Sequence, residues 1–193
     1  MKQGLQNFVA LLRGINVSGR NKVPMADLRS ACKGIGWVNV QSYIQSGNVV
    51  FAAAEPAKVL ENKLEQLILK RFELSIPVIV RSAASWPGYV RNNPFPEECQ
   101  TEAKAVMLAL SKAPVNKGAL EGLLERATNG ESIRQSGDAL WVYFKNGVAG
   151  SRLSPALFDR LAGSAVTARN WRTVLKIDEL LRKPMETSEC LPG

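Results

Sequence analysis

Residues Phe8, Val9, Ala10, Leu11 and Leu12 are apolar at five consecutive positions, so a period-two chain here buries both faces. This predicts an interior strand over 7–14. After a polar stretch, Met25, Leu28, Cys32 and Ile35 recur at helical spacing behind Pro24, a good first-turn residue, and Gly36 stops the run. Residues 38–45 and 48–53 read as strands joined by the tight turn Ser46-Gly47. Leu60, Leu64, Leu67 and Ile68 form the stripe of a helix over 56–72, and a β-rich run follows over 74–81. The order so far is βαββαβ.

Pro87, Pro94, Pro96, Asn92 and Asn93 crowd the stretch 86–100, after a short helix at 83–90, and mark irregular chain. The expected division is a first unit over 1–90, a linker over 91–100 and a second unit over 101–193. Beyond the linker the pattern restarts. A strand at 105–110 precedes a helix at 116–127 with Leu120, Leu123 and Leu124 inward, then a hairpin of 132–135 and 140–144 turning at Gly137-Asp138. Ser154 and Pro155 open a helix carrying Leu157, Phe158 and Leu161 and closed by Gly163. A short strand at 165–168 follows, and Asn170 opens a terminal helix with Val174, Ile177 and Leu181 inward. The second unit is again βαββαβ with one helix added, so the fold class is α+β. The repeat rests on element order, since the halves share no visible residue identity.

Composition narrows the chemistry more than the fold. The 193 residues contain no histidine, which removes Ser-His-Asp and Cys-His catalysis and the commonest transition-metal ligand. Cys32, Cys99 and Cys190 are odd in number and far apart, which suits neither a disulfide framework nor a zinc site and points to a reducing compartment. No run approaches the ~20 apolar residues of a membrane span, and no apolar leader opens the chain, so no membrane partner and a cytoplasmic location are expected. The net charge of +8 is concentrated early, with 11 basic and 5 acidic residues through Val90 against 14 and 12 beyond it. A basic balance favours an anionic partner and is equally the mark of a solvated basic surface.

Two segments have a specific look: residues 10–25, ALLRGINVSGRNKVPM, followed by 43–51, YIQSGNVVF, and, far along the chain, 167–174, TARNWRTV. They resemble the bacterial DUF1697 family, a domain of unknown function. The resemblance implies two ferredoxin-like subdomains, in agreement with the element order, and it brings no activity, cofactor or site residue with it.

The loop of residues 14–22 is the most distinctive piece of the chain. Gly14 and Gly19 let backbone amides approach a ligand, and Asn16, Asn21, Arg20 and Lys22 surround them ahead of a helix start, with Arg13 just before the loop. A phosphate-binding loop of the nucleotide-hydrolase type is rejected, because Arg20 and Asn21 stand where Lys and Ser or Thr are needed. The bland account is that glycine and asparagine supply turn conformations. A second cluster, Arg169, Asn170 and Arg172, opens the terminal helix, where Asn170 suits a cap and Trp171 an anchor, so a structural role leads there.

With the first and third strands taken as parallel, the loop and the tip of the first hairpin fall at opposite ends of the sheet, which keeps Gln45, Ser46 and Asn48 away from Arg20 and Lys22. An RNA-recognition module shares the element order, but the third strand offers Asn48 and Val50 where stacking rings belong, so nucleic acid is unsupported. No carboxylate pair is brought together in the basic region, and neither Ser18 nor any lysine is marked as activated. The leading expectation is a module, free of metal and cofactor, that binds a small phosphorylated or otherwise anionic ligand through the loop. A protein-interaction scaffold and a histidine-free, metal-free enzyme on an anionic substrate are the alternatives.

Overall fold

Strand β1 (Gln6–Leu12) divides its side chains between two cores, which explains its unbroken apolar run. The computed structural model describes residues 4–17 and 19–183, so Ser18 and Cys190 lie outside the described residues. In β1, Phe8, Ala10 and Leu12 face one cluster and Val9 and Leu11 the other, as the pleat requires.

The first unit continues with α1 (Met25–Gly34), β2 (Val38–Tyr43), β3 (Asn48–Ala53), α2 (Ala57–Phe72) and β4 (Val78–Ser82). The second unit holds β5 (Val106–Ser111), α5 (Ala119–Leu124), β6 (Glu131–Ser136), β7 (Ala139–Phe144), α6 (Pro155–Ala162) and β8 (Val166–Asn170), and α7 (Trp171–Leu181) follows. Between the units stand α3 (Trp86–Arg91) and α4 (Pro96–Thr101). The sheets are four-stranded in the equivalent orders β2-β3-β1-β4 and β6-β7-β5-β8, and every pairing is antiparallel. These are two ferredoxin-like repeats with an added carboxy-terminal helix.

Three apolar clusters hold the layers together. Leu28 and Cys32 of α1 and Leu60, Leu64 and Ile68 of α2 cover the outer face of the first sheet. Leu123 and Phe158 do so for the second. The middle cluster joins the inner faces of both sheets: Val9, Leu11, Val50 and Ile79 from the first, Leu108, Leu110 and Trp141 from the second, with Trp86 of α3 and Val174, Ile177 and Leu181 of α7. Burying a side chain of this size contributes about 1.5–3 kcal/mol.

Two stretches differ from the sequence pattern. Residues 91–100, read as irregular, contain the start of α4, because Pro96 takes the first helical position, where its missing N–H is no loss. The helix expected over 116–127 is cut to Ala119–Leu124, since Gly118 at its amino end takes φ +82°. Among the described residues no helix is long and apolar enough to cross a membrane.

Candidate ligand-binding site

The antiparallel pairing of β1 with β3 corrects the expectation that separated the loop from the hairpin tip. Leu11 lies opposite Asn48, so the chain leaves β1 beside the β2–β3 turn. The parallel premise was the error: one helix between β1 and β2, then a hairpin, returns β3 against β1. The Leu12 amide donates to the Gly47 carbonyl at 2.8 Å, and Asn16 Nδ2 donates to the Gln45 carbonyl at 2.8 Å.

The loop is built by its own asparagines. Asn16, at φ +54°, accepts the Val23 amide on Oδ1 at 2.9 Å and donates from Nδ2 to the Val23 carbonyl at 3.0 Å. Asn21, at φ +47°, donates from Nδ2 to the Gly14 carbonyl at 3.0 Å, and its own carbonyl accepts the Asn16 amide at 3.1 Å. Asparagine tolerates this left-handed region better than other residues with a side chain, which is why it recurs here. Gly14 and Gly19 also sit at positive φ, and the Arg20 amide closes a turn onto the Val17 carbonyl at 2.9 Å.

The charged residues divide into two kinds. Arg13 is engaged: it pairs with Asp159 of α6 at 2.5 Å and donates from Nε to the Val166 carbonyl at 3.1 Å, tying the loop base to the second unit. Arg169 is buried and reaches across from β8, with Nη2 donating to the carbonyls of Leu12 at 2.8 Å and Ser46 at 3.0 Å. Burial pulls its pKa down to about 10, which leaves it cationic at neutrality with only neutral acceptors around it. Arg20 and Lys22, by contrast, are exposed, and among the described residues neither forms an ion pair or side-chain hydrogen bond. Asn170 caps α7 by accepting the Thr173 amide at 3.0 Å, and Arg172 is exposed in the first turn of that helix.

At the start of α1, Pro24 occupies the cap position and no side chain caps the helix, so its first amides have no side-chain acceptor. Two features of this end escaped the sequence reading. Asn48 and the Ser46 carbonyl meet Arg169, and Ile44 holds φ +51°, an outlier for a β-branched residue, while 51% exposed. The ferredoxin-like strand directions would have brought the turn to the loop; no residue signal announces the backbone of Ile44.

No curated protein matches the chain. Among solved structures it is similar to the conserved bacterial protein SP0830 from Streptococcus pneumoniae, at 23% identity and a TM-score of 0.67, covering 93% of this chain and 100% of that one. That likeness supports the fold. The family described as protein of unknown function (DUF1697) matches residues 5–141, a span that takes in the loop, the hairpin turn and the whole first sheet, and the chain belongs to that family.

Proposed function

We propose that the end of the first sheet formed by residues 14–22 and the adjoining turn 44–47 binds a small phosphorylated or otherwise anionic ligand. The observation that carries this reading is a loop braced by Asn16 and Asn21 whose Arg20 and Lys22 are exposed and, among the described residues, unpaired, directly ahead of an uncapped helix start. Helix amides and flanking cations together favour an anion. Arg20, Lys22 and the amides near Gly14 and Gly19 contact the ligand. Arg13, Asn16, Asn21 and Arg169 hold the frame, and Asn170 and Arg172 lie where the strand that carries Arg169 passes into α7. The strained backbone of Ile44 at the same end suits a functional surface.

The test is thermal unfolding of the wild type and an Arg20→Ala, Lys22→Ala double variant across nucleotides, sugar phosphates, inorganic phosphate and short RNA. A ligand at a hundred times its dissociation constant adds about 2.7 kcal/mol to the wild type and little to the variant. Shifts that fade with salt and do not discriminate among anions mark a merely basic surface. A second reading, a protein-interaction scaffold, is favoured by Val17 and Ile44, 57% and 51% exposed beside one another's hydrogen-bonded neighbours. It takes precedence if no compound stabilises the wild type selectively, or if the double variant responds identically.

A further inference from the structure

The second unit carries a concentration of cations that the loop does not involve. Arg126 follows α5, Arg152 precedes the Ser154 cap of α6, and Arg160 lies in the last turn of α6. The three line one open cavity of about 380 Å³, together with Ser154, Ala156 and Leu157. Among the described residues no carboxylate lines it. Among the described residues none of the three guanidinium groups has an ion-pair or hydrogen-bond partner, whereas Arg13, Arg81 and Arg182 are each paired with an aspartate. Asp159, the acid beside Arg160 in sequence, is engaged elsewhere, by Arg13 and by the Val166 amide at 2.8 Å.

Gathering three like charges around one concavity raises the free energy of the empty protein, and an anion seated among them reverses that sign. Guanidinium forks match the paired oxygens of phosphate groups, a geometry that lysine does not supply. The Ser154 hydroxyl accepts the Leu157 amide at 3.2 Å, so its own proton is left to donate into the cavity. We propose that this cavity is a second anion site, independent of the loop, for a compact diphosphate group, either as inorganic pyrophosphate or carried on a small molecule. A concave site of this size suits a compact anion, and three cations favour a diphosphate over a single phosphate.

The experiment uses the full chain with Arg20→Ala and Lys22→Ala already in place, so that the loop site cannot contribute. Inorganic pyrophosphate, orthophosphate and a nucleoside diphosphate are titrated separately at about 0.1 M chloride, with binding followed by calorimetry and by amide resonances. Saturable one-to-one binding of pyrophosphate is expected, tighter than orthophosphate, with shifts at Arg126 and in 152–157. A nucleoside diphosphate binding more tightly than pyrophosphate identifies the carried form, and the reverse identifies the free one. Each of Arg126→Gln, Arg152→Gln and Arg160→Gln is expected to weaken binding roughly tenfold or more, while the thermal midpoint without ligand does not fall, because all three side chains are exposed and their mutual repulsion is relieved. The proposal is overturned if pyrophosphate does not saturate, if the shifts lie elsewhere, if extra chloride reproduces them, or if the arginine variants bind like their parent.

Discussion

Arg169 and Asn48 are 121 residues apart in the chain and 2.5 Å apart in space, with the guanidinium Nε–H donating to the Asn48 amide oxygen. Asn48 in turn donates from Nδ2 to the Tyr43 carbonyl at 3.0 Å and to Ser46 Oγ at 3.1 Å, so one chain of hydrogen bonds runs from β8 to the β2–β3 turn. Removing the guanidinium strands several buried acceptors at once. Arg169→Ala is expected to cost about 3 kcal/mol or more, read from the midpoint of urea unfolding. Arg169→Lys is not expected to rescue it, because an ammonium group cannot span the fork that meets Leu12, Ser46 and Asn48. A variant as stable as the wild type would show that the network contributes nothing net.

Gly47 offers a sharper steric test. It sits at φ +78°, and a Cβ there would lie 2.7 Å from Leu12 Cβ and 2.9 Å from Ile15 Cδ1. Gly19 has a similar φ, +76°, with open space around it. Gly47→Ala is therefore expected to lower stability by about 2 kcal/mol or more and Gly19→Ala by about 1 kcal/mol, the difference isolating the clash from the backbone strain. Equal losses in thermal unfolding would mean that the turn gives way freely.

Asn16 holds the loop through three side-chain bonds, and the amide of Val23 reports on one of them. In Asn16→Gly the positive φ is preserved and only those bonds are lost. Hydrogen exchange at Val23 is expected to accelerate at least about tenfold, which corresponds to the 1.4 kcal/mol scale of a single hydrogen bond. Unchanged protection of Val23 would mean that the loop is ordered by something else.

Burial pushes the Tyr89 phenol from 10.0 up to about 12, and the charge of Arg81, which pulls the other way, does not offset it. The unfolded chain thus releases this proton from about pH 10 while the native protein keeps it to about pH 12. Between those values the native state binds more protons than the unfolded one, so stability falls as pH rises through the window. Tyr89→Phe is expected to flatten that slope, at a cost near neutrality of about 1 kcal/mol for the bonds with Arg81 and Asp138. Denaturant midpoints at pH 9, 10 and 11 for the two proteins check it. Cys32, pushed up to about 12 by burial, adds a slope of the same sign to both.

Much of the architecture was readable because burial imposes a period. The doubled apolar face of β1 and the stripes at Leu28 and Cys32 or Leu60, Leu64 and Ile68 follow directly from having a core on each side. Strand direction is not written in that pattern, so the meeting of the loop with the hairpin turn was missed. Arg169 was picked out with a structural role, but at a helix start; its side chain shares a buried face of β8 with Thr167, and its reach to Asn48 and Ser46 across the two units has no local pattern to announce it. Pro96 misled in the opposite way, as a breaker that in fact starts a helix.

The middle apolar cluster places a condition on when the protein can become native during synthesis. The cluster that covers Val9, Leu11, Val50 and Ile79 is complete only after Val174, Ile177 and Leu181 have been made, and Arg169 reaches Leu12 across 157 residues. Translation at about 5–20 residues per second leaves the first sheet with an open inner face for on the order of ten seconds. Ribosome-stalled chains that stop before α7 are expected to be cut readily by protease in the first unit, and chains that include it to resist. Equal resistance of both would show that the first sheet covers itself. The nascent chain thus exposes an apolar face that the finished protein covers.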